Sequence, residues 1–333
     1  MTTASFEIND SSGPAAIRRA AEGTATRLGF DATRTGQLAI VVMELATNVL
    51  KHAQHGEVLL TECGDDAGRG IEVLALDKGH GVADFERSAV DGLSTAGSLG
   101  HGLGAIRRMA DAFEIFSQPG KGTAALARLW PTRHATRAEP SLSLGVINVP
   151  ISGERVSGDA WSAKVAPHAA SVIVADGLGH GVLAAEASEA AISVFERDPL
   201  RSPSQTLEDV HLALRPTRGA AVAIAGLDFE HDVARFAGVG NIAGVIVDGA
   251  ARRSLVSHNG TAGHTARHLH EFNYPLVRSS VLIMHSDGLA SGWNTADYTG
   301  LWTRDPALVA GVLYRDFTRR RDDVTVLVGR RNR

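Results

Sequence analysis

Hydrophobic positions in the first 130 residues alternate between two periods. Leu38, Val41, Val42, Leu45 and Val49 recur at the i, i+3, i+4, i+7 spacing of a helix that buries one stripe. A helix is expected from Gly13 to Gly29, with Pro14 near its first turn, and a second from an Asp31 cap to about Gln54. Strand-like runs follow at Glu57–Glu62 and Ile71–Leu76, then a glycine-rich stretch to Gly104, a short helix near Ala105–Ala110, and strands at Phe113–Ser117 and Thr123–Leu129. Helices alternating with an antiparallel-looking sheet predict an α/β sandwich. The segment Pro131–Ser141 has no apolar period and a proline near each end, so it reads as a linker. Beyond it, strands are expected at Leu142–Val149, Ser171–Val174, Ala220–Leu227, Val233–Ala237, Ile242–Val247, Val281–His285 and Val324–Val328. Helices are expected near Leu183–Arg197, Thr206–Leu214 and Ala307–Phe317. Many strands and few helices predict a second, α+β sandwich. The expected organisation is therefore a two-domain α/β chain, residues 1–134 and 142–333.

Composition narrows the function classes. With 33 Lys and Arg against 37 Asp and Glu, the net charge is −4, and no basic stripe exists to release counterions from phosphates, so nucleic acid is not an expected partner. The single cysteine, Cys63, excludes an intrachain disulfide and points to the cytoplasm. Met1–Ser12 lacks the pattern of a signal peptide, and no apolar run reaches the ~18 residues of a membrane span.

Candidate chemistry in the first half begins on the second helix. Glu44 and Asn48 lie four residues apart, share a face and border the apolar stripe. They are either a solvated pair or the edge of a pocket, where the carboxylate accepts a proton and the amide oxygen binds Mg²⁺. Asp77-Lys78-Gly79-His80-Gly81 follows a strand directly, and Gly97–Gly104 (GSLGHGLG) and Gly120-Lys121-Gly122-Thr123 come next. A carboxylate at a strand end can accept the adenine amine, and glycines let backbone amides approach a triphosphate. Each glycine segment alone also reads as an ordinary turn.

Taken in order, ELATN (44–48), DKGHG (77–81), GSLGHGLG (97–104) and GKGT (120–123) resemble the four nucleotide boxes of the GHKL ATPase superfamily. The stretch Asp91–Phe113 is similar to its serine-kinase branch, which includes the stressosome switch kinase and the anti-sigma factors. The resemblance implies a GHKL (Bergerat) sandwich binding ATP and Mg²⁺. Glu44 would be the base that accepts the substrate hydroxyl proton and Asn48 the Mg²⁺ ligand. Asp77 would meet adenine with Gly79, Gly81 and Thr123 in support, and Gly100, Gly102 and Gly104 would surround the phosphates. No phosphoacceptor histidine on a dimerising hairpin precedes the boxes, so a sensor histidine kinase is not expected.

The second half carries four acidic segments: Ser157-Gly158-Asp159, Ala175-Asp176-Gly177, Ser286-Asp287-Gly288 and Asp322-Asp323-Val324-Thr325. Asp176, Asp287 and Asp322 each adjoin a strong strand run, so their side chains are expected on one rim of a sheet. Carboxylates ~4 Å apart repel by about 1–4 kcal/mol per pair, and such a gathering needs cations; oxygen donors select Mg²⁺ or Mn²⁺ over zinc. Each Asp-Gly pair alone is equally an ordinary turn. His258, His264, His268 and His270 have no compact zinc spacing.

In order, GERVSGDAW, VADGLGHG, GVGNI, HSDGLA and RDDVTVLV resemble the PP2C-type serine/threonine phosphatases, in their bacterial SpoIIE and RsbX branch. The resemblance implies a PP2C-like sandwich with two Mn²⁺ or Mg²⁺ ions. Asp176 would bridge them, the Gly177 carbonyl would bind one, and Asp159, Asp287 and Asp322 would complete the set, with Asp323 an alternative to Asp322. Arg155 stands where eukaryotic relatives carry a phosphate-binding arginine, and is otherwise a plain exposed arginine. Together the halves imply a bifunctional serine/threonine kinase and phosphatase acting on a STAS-domain protein in partner switching, with a sigma-factor regulator or signalling enzyme downstream. The alternative is an ATP-dependent module that sequesters its partner, fused to a phosphoserine phosphatase.

Overall fold

The computed structural model describes residues 3–53, 55–65, 68–82, 99–133, 140–266 and 269–332. The chain divides into two compact units, Thr3–Ala138 and Glu139–Arg333.

In the first unit the stripe on the second helix decides the layering. Strands β1 (Ala4–Ile8), β2 (Gly56–Asp65), β3 (Gly68–Asp77), β4 (Ala112–Gln118) and β5 (Gly122–Leu129) form one antiparallel sheet in the order β1-β2-β3-β5-β4. Helices α1 (Gly13–Arg27), α2 (Ala32–Ala53) and α3 (Leu99–Met109) pack on it. Leu38, Val41, Val42, Leu45 and Val49 are buried against Ile17 and Ala21 of α1, Ile106 of α3 and Val58 and Val73 of the sheet. Asp31 caps α2 as expected, its Oδ1 accepting the Arg34 amide at 2.7 Å. Arg34 is itself buried, and it donates to the Trp130 and Met109 carbonyls and pairs with Asp111. That cluster ties the start of α2 to the ends of α3 and β5.

The linker expectation is corrected at its start. Arg133 donates to the carbonyls of Arg108 and Ala110 and lies 3.2 Å from Asp111, so the chain is still docked there. Residues 134–139, including Arg137, lie outside the described residues.

The second unit is a layered sandwich. Strands β7 (Asp159–Val165), β8 (Ala169–Gly177), β9 (Ala220–Asp228), β10 (Val233–Val239) and β13 (Phe272–Pro275) form one sheet, ordered β13-β10-β9-β8-β7. Strands β6 (Leu142–Val149), β11 (Ala243–Asp248), β12 (Ala251–Leu255), β14 (Val281–His285) and β15 (Val324–Arg331) form the other, ordered β12-β11-β14-β15-β6. Their facing sides share a core that includes Val172, Ala223 and Phe236 from one sheet and Ile246, Met284 and Leu327 from the other. Helices α4 (Val182–Phe195) and α5 (Pro203–Ala213) cover the outer face of the first sheet through Phe195, Leu207 and Val210. Helix α6 (Pro306–Phe317) covers β6 and β15, and Gly145 of β6 lets it approach, since a Cβ there would overlap the backbone of Ala307. Four strands, β1, β7, β12 and β13, were not expected from the sequence pattern. All four are edge strands.

Candidate active sites

In the first unit, α2 presents Glu44 and Asn48, both half-buried, on one face. The Glu44 carboxylate lies against Gly102, and a Cβ at position 102 would overlap its Oε2. Gly100, Gly102 and Gly104 were expected in a loop. The structure places all three inside α3, which starts at Leu99: Gly100 and Gly102 fall in its first turn, where amides lack intrahelical partners and favour an anion, and Gly104 follows in the next turn. Gly97, Ser98 and the start of the Asp91–Phe113 stretch lie outside the described residues.

Asp77 ends β3. Its Oδ1 accepts the Gly79 amide at 2.8 Å and the Thr123 amide at 3.2 Å, so its carboxylate is fixed where β3 meets the β4–β5 turn. The Thr123 hydroxyl lies 2.9 Å from that of Ser117, which also receives the Val82 amide. Gly81 has φ +63°, and a Cβ there would overlap the Gln118 carbonyl, so this glycine is required by close packing of two turns. Glu44, Asn48, Asp77 and Thr123 thus come from three elements of one unit, α2, β3 and β5.

In the second unit, strand register brings the acidic residues together. Asp159 on β7 is the direct cross-strand partner of Asp176 on β8. Asp287 and the Asp322–Asp323 pair come from the other sheet, after β14 and before β15, and all of them act electrostatically on Asp176. Asp159 is 4 % exposed. Its Oδ2 accepts the Ser286 hydroxyl at 2.6 Å, and its Oδ1 is buried with no hydrogen-bond partner. Ser286 also receives the Thr325 amide, and Asn148 donates to the Asp159 carbonyl and the Thr325 hydroxyl. Burial pushes the Asp159 carboxyl up to about 7 against the lowering effect of its Ser286 and Thr325 hydrogen bonds. Burial, then repulsion from Asp159 and Asp287, pushes Asp176 up to about 9.

The two neighbouring aspartates differ. Asp323 is 2 % exposed, and its oxygens accept the amides of Ile151 (2.8 Å) and Gly158 (2.9 Å), so it clamps the β6–β7 loop. Asp322 is exposed. Gly177 is packed so tightly that a Cβ would overlap the Ala184 carbonyl, which holds the start of α4 beside Asp176. Arg155 is exposed on the β6–β7 loop, where the adjacent Glu154 pairs with His180 at 3.0 Å.

This donor set fits hard divalent cations. It consists of oxygens only, two carboxyls resist ionising without a positive partner, and one buried oxygen has no donor to meet. Among the described residues no three or more histidine, cysteine or acidic side chains stand, as placed, where they could hold a metal ion. The described histidines do not converge either. His258 and His270 are ring neighbours at 5.8 Å, His264 bonds the Arg218 carbonyl, and His268 lies outside the described residues.

The upward shifts carry a stability prediction. Between the ordinary carboxyl value of 3.8 and the folded values of about 7 and 9, the folded state binds protons that the unfolded chain has released. Stability supplied by those protons is complete below pH 4 and lost as pH rises through the folded values. In chelator, the second unit should therefore lose stability as pH rises from about 4, through both groups up to about pH 7 and through Asp176 alone up to about pH 9, by up to about 1.4 kcal/mol per pH unit for each group, and millimolar Mn²⁺ should flatten the decline. Thermal unfolding with and without Mn²⁺ checks this. A flat profile in chelator would refute the shifts.

The two folds define a class of protein: a nucleotide-binding ATPase sandwich joined to a phosphatase sandwich of the PP2C type. Comparison with known proteins agrees. Residues 11–128 match the histidine kinase-like ATPase domain, and residues 166–332 match Stage II sporulation protein E (SpoIIE). The serine/threonine-protein kinase RsbT of Bacillus subtilis is 32% identical over 115 residues, 34% of this chain and 86% of that protein. The phosphoserine phosphatase RsbX of the same organism is 26% identical over 182 residues, 53% of this chain and 88% of that protein. A structure solved in work on the bacterial stressosome, as a modular system adapted to control secondary messenger signalling, aligns with TM-score 0.53 and 28% identity, covering 57% of this chain and 99% of that one. The chain belongs to the SpoIIE phosphatase family and carries, ahead of that domain, an ATPase domain of the RsbT kind. It is thereby related to the proteins of stressosome partner switching. Among the described residues no helix is long and apolar enough to cross a membrane.

Sequence reasoning missed Ser286, Asn148, Thr325 and Asn241 as parts of the rim. Ser286, Asn241 and Thr325 lie inside segments it had singled out, HSDGLA, GVGNI and RDDVTVLV, but neighbouring positions in sequence do not reveal which carboxylate a hydroxyl or amide will meet.

Proposed function

We propose that the chain is a two-way switch on one protein substrate, its first unit phosphorylating and its second dephosphorylating a serine or threonine of a STAS-domain protein in the cytoplasm. The observation that carries the reading is the Asp159–Asp176 pair, two carboxyls facing each other across β7 and β8, on which the charges acting among the described residues are all acidic. Such a pair is costly to keep unless it serves cations.

In the second unit, Asp176, Asp159, Asp287, Asp322 and the Gly177 carbonyl would hold two Mg²⁺ or Mn²⁺ ions. Asp322 is preferred to Asp323, each of whose oxygens already accepts a backbone amide. When bound, the cations supply positive charge against the phosphoryl oxygens and acidify water. The protein's share is to hold the carboxylates on one rim and to offer Arg155, whose planar guanidinium suits a phosphate. Hydrolysis breaks the phosphorus–oxygen bond of the phosphoserine and returns its hydroxyl, with no covalent phosphoenzyme.

In the first unit, ATP supplies the phosphoryl group. Asn48 would hold its Mg²⁺, the amides at the start of α3 would face the phosphates, and Asp77 with Thr123 would receive adenine. Glu44, held against Gly102, would take the proton of the attacking hydroxyl.

The test follows γ-labelled ATP, Mg²⁺, Mn²⁺ and a STAS-domain protein over time. Label should move to the protein and then leave it as inorganic phosphate. ATP-dependent association without label transfer would replace the kinase reading by partner sequestration, and transferred label that is never released would refute the phosphatase reading.

A further inference from the structure

The turn between β10 and β11 is where the chain leaves one sheet of the second unit for the other, and it lies on the acidic rim. Val239, the last residue of β10, pairs with Val222 of β9. The next residue, Gly240, therefore faces Ala221, which is the cross-strand partner of Asp176. A Cβ at Gly240 would press on Ala221, and its φ of +94° is one that side chains avoid, so only glycine lets the turn descend onto this strand. The Gly240 amide is anchored to the His258 carbonyl at 2.9 Å, and Ile242 is buried at 2 % exposure. Between two fixed neighbours, Asn241 has little choice of position.

On the other sheet, Ala243 pairs with His285. Continuing that antiparallel register by two residues sets Asn241 opposite Asp287, and its Nδ2 donates to Asp287 Oδ2 at 2.8 Å. The adjacent Ser286 does the same for the other sheet's carboxylate, donating to Asp159 Oδ2. In each case one carboxylate oxygen, Oδ2, accepts a neutral donor, and in Asp159 the other oxygen, Oδ1, is buried with no hydrogen-bond partner.

We propose that Asn241 is a positioning residue. It pins one oxygen of Asp287, presents the other to a divalent cation, and through Gly240 keeps that oxygen in register with Asp176 on the opposing sheet. The inference rests on the reading of this rim as a Mg²⁺ or Mn²⁺ site. An amide suits the role because Nδ2 can only donate, so it stabilises the carboxylate as an anion without adding charge that would compete with the cation.

The test uses the full chain without nucleotide and Mn²⁺ alone as the probe, titrated calorimetrically at one pH. Asn241 is exposed, so Asn241→Ala should unfold at the wild-type temperature in chelator. Its Mn²⁺ affinity should fall by about 10–100-fold. In an Asp287→Asn background the same substitution should cost nothing further, because the group through which it acts is already gone. An unchanged affinity in Asn241→Ala, a loss that persists at full size without Asp287, or a loss matched by a drop in unfolding temperature would each overturn the proposal. Wild-type protein that binds no Mn²⁺ would instead refute the metal site itself.

Discussion

Asp176→Asn should abolish phosphoserine hydrolysis, reducing it by well over the ~10²-fold that loss of a merely supporting residue costs, while ATP binding by the first unit stays unchanged. The substitution removes the negative charge at the position most strongly pressed by its neighbours, and an amide cannot supply two anionic contacts. The same charge that serves cations is a burden without them. In chelator near pH 9, Asp176→Asn should therefore unfold at a higher temperature than wild type, because a neutral side chain no longer has to ionise beside Asp159 and Asp287. Loss of activity with a gain in stability is a pair of opposite signs that general misfolding cannot produce. Given ATP and a STAS-domain substrate, wild type should settle at partial phosphorylation and keep consuming ATP, whereas Asp176→Asn should drive the substrate to near-complete phosphorylation and stop. A time course of substrate phosphorylation measures this. Equal plateaus would mean that the two units do not oppose each other on one substrate.

Glu44→Ala should slow phosphoryl transfer by about 10²–10⁴-fold and leave Mg-ATP affinity within a few-fold of wild type, since a general base contributes to the step and not to nucleotide binding. The contact with Gly102 adds a second way to slow the transfer step. A methyl at position 102 would occupy the place of the Glu44 Oε2, so Gly102→Ala must displace the carboxylate without deleting it. Within a helix the exchange to alanine is itself favourable by about 1 kcal/mol, so folding of α3 should not suffer. Single-turnover transfer and calorimetric ATP binding separate the outcomes. If Glu44→Ala loses binding and transfer equally, the residue supports the pocket and is not the base.

How much of this was legible in the sequence differs by element. Helices α1 and α2 and central strands β3, β8, β9, β14 and β15 announce themselves, because a stripe at helical spacing or an unbroken apolar run reflects burial within the element itself. The strands that did not were β1, β7, β12 and β13. An edge strand has one neighbour and buries little: β12 exposes four of its five residues, and β1 buries only Ile8. Nothing local distinguishes such segments from loops. The glycines of 100–104 read as a loop for a related reason. Glycine lowers intrinsic helix propensity, and the packing of Leu103 and Ile106 into the core overrides that preference.

Asp176, Asp287 and Asp322 were found by their place beside strands, Asp159 by its acidic segment and the family resemblance, and the Glu44–Asn48 pair by its spacing on a helix. Such facts depend on residues a few positions apart, and the sequence by itself determined them, together with the two-part organisation and the acidic character of the second rim. Which carboxylates meet was decided only in three dimensions. Asp159 faces Asp176 because β7 pairs with β8 in one register, and a shift of a single residue would turn its side chain to the other face. Asp322 is separated in role from Asp323 by the amides of Ile151 and Gly158, more than 160 residues earlier in the chain. Asn241 reaches Asp287 through a turn that links two sheets. Local sequence encodes the propensity and periodicity of single elements, whereas a site assembled from β7, β8, β10, β14 and β15 depends on pairing between elements, and that is set by the burial of the whole core.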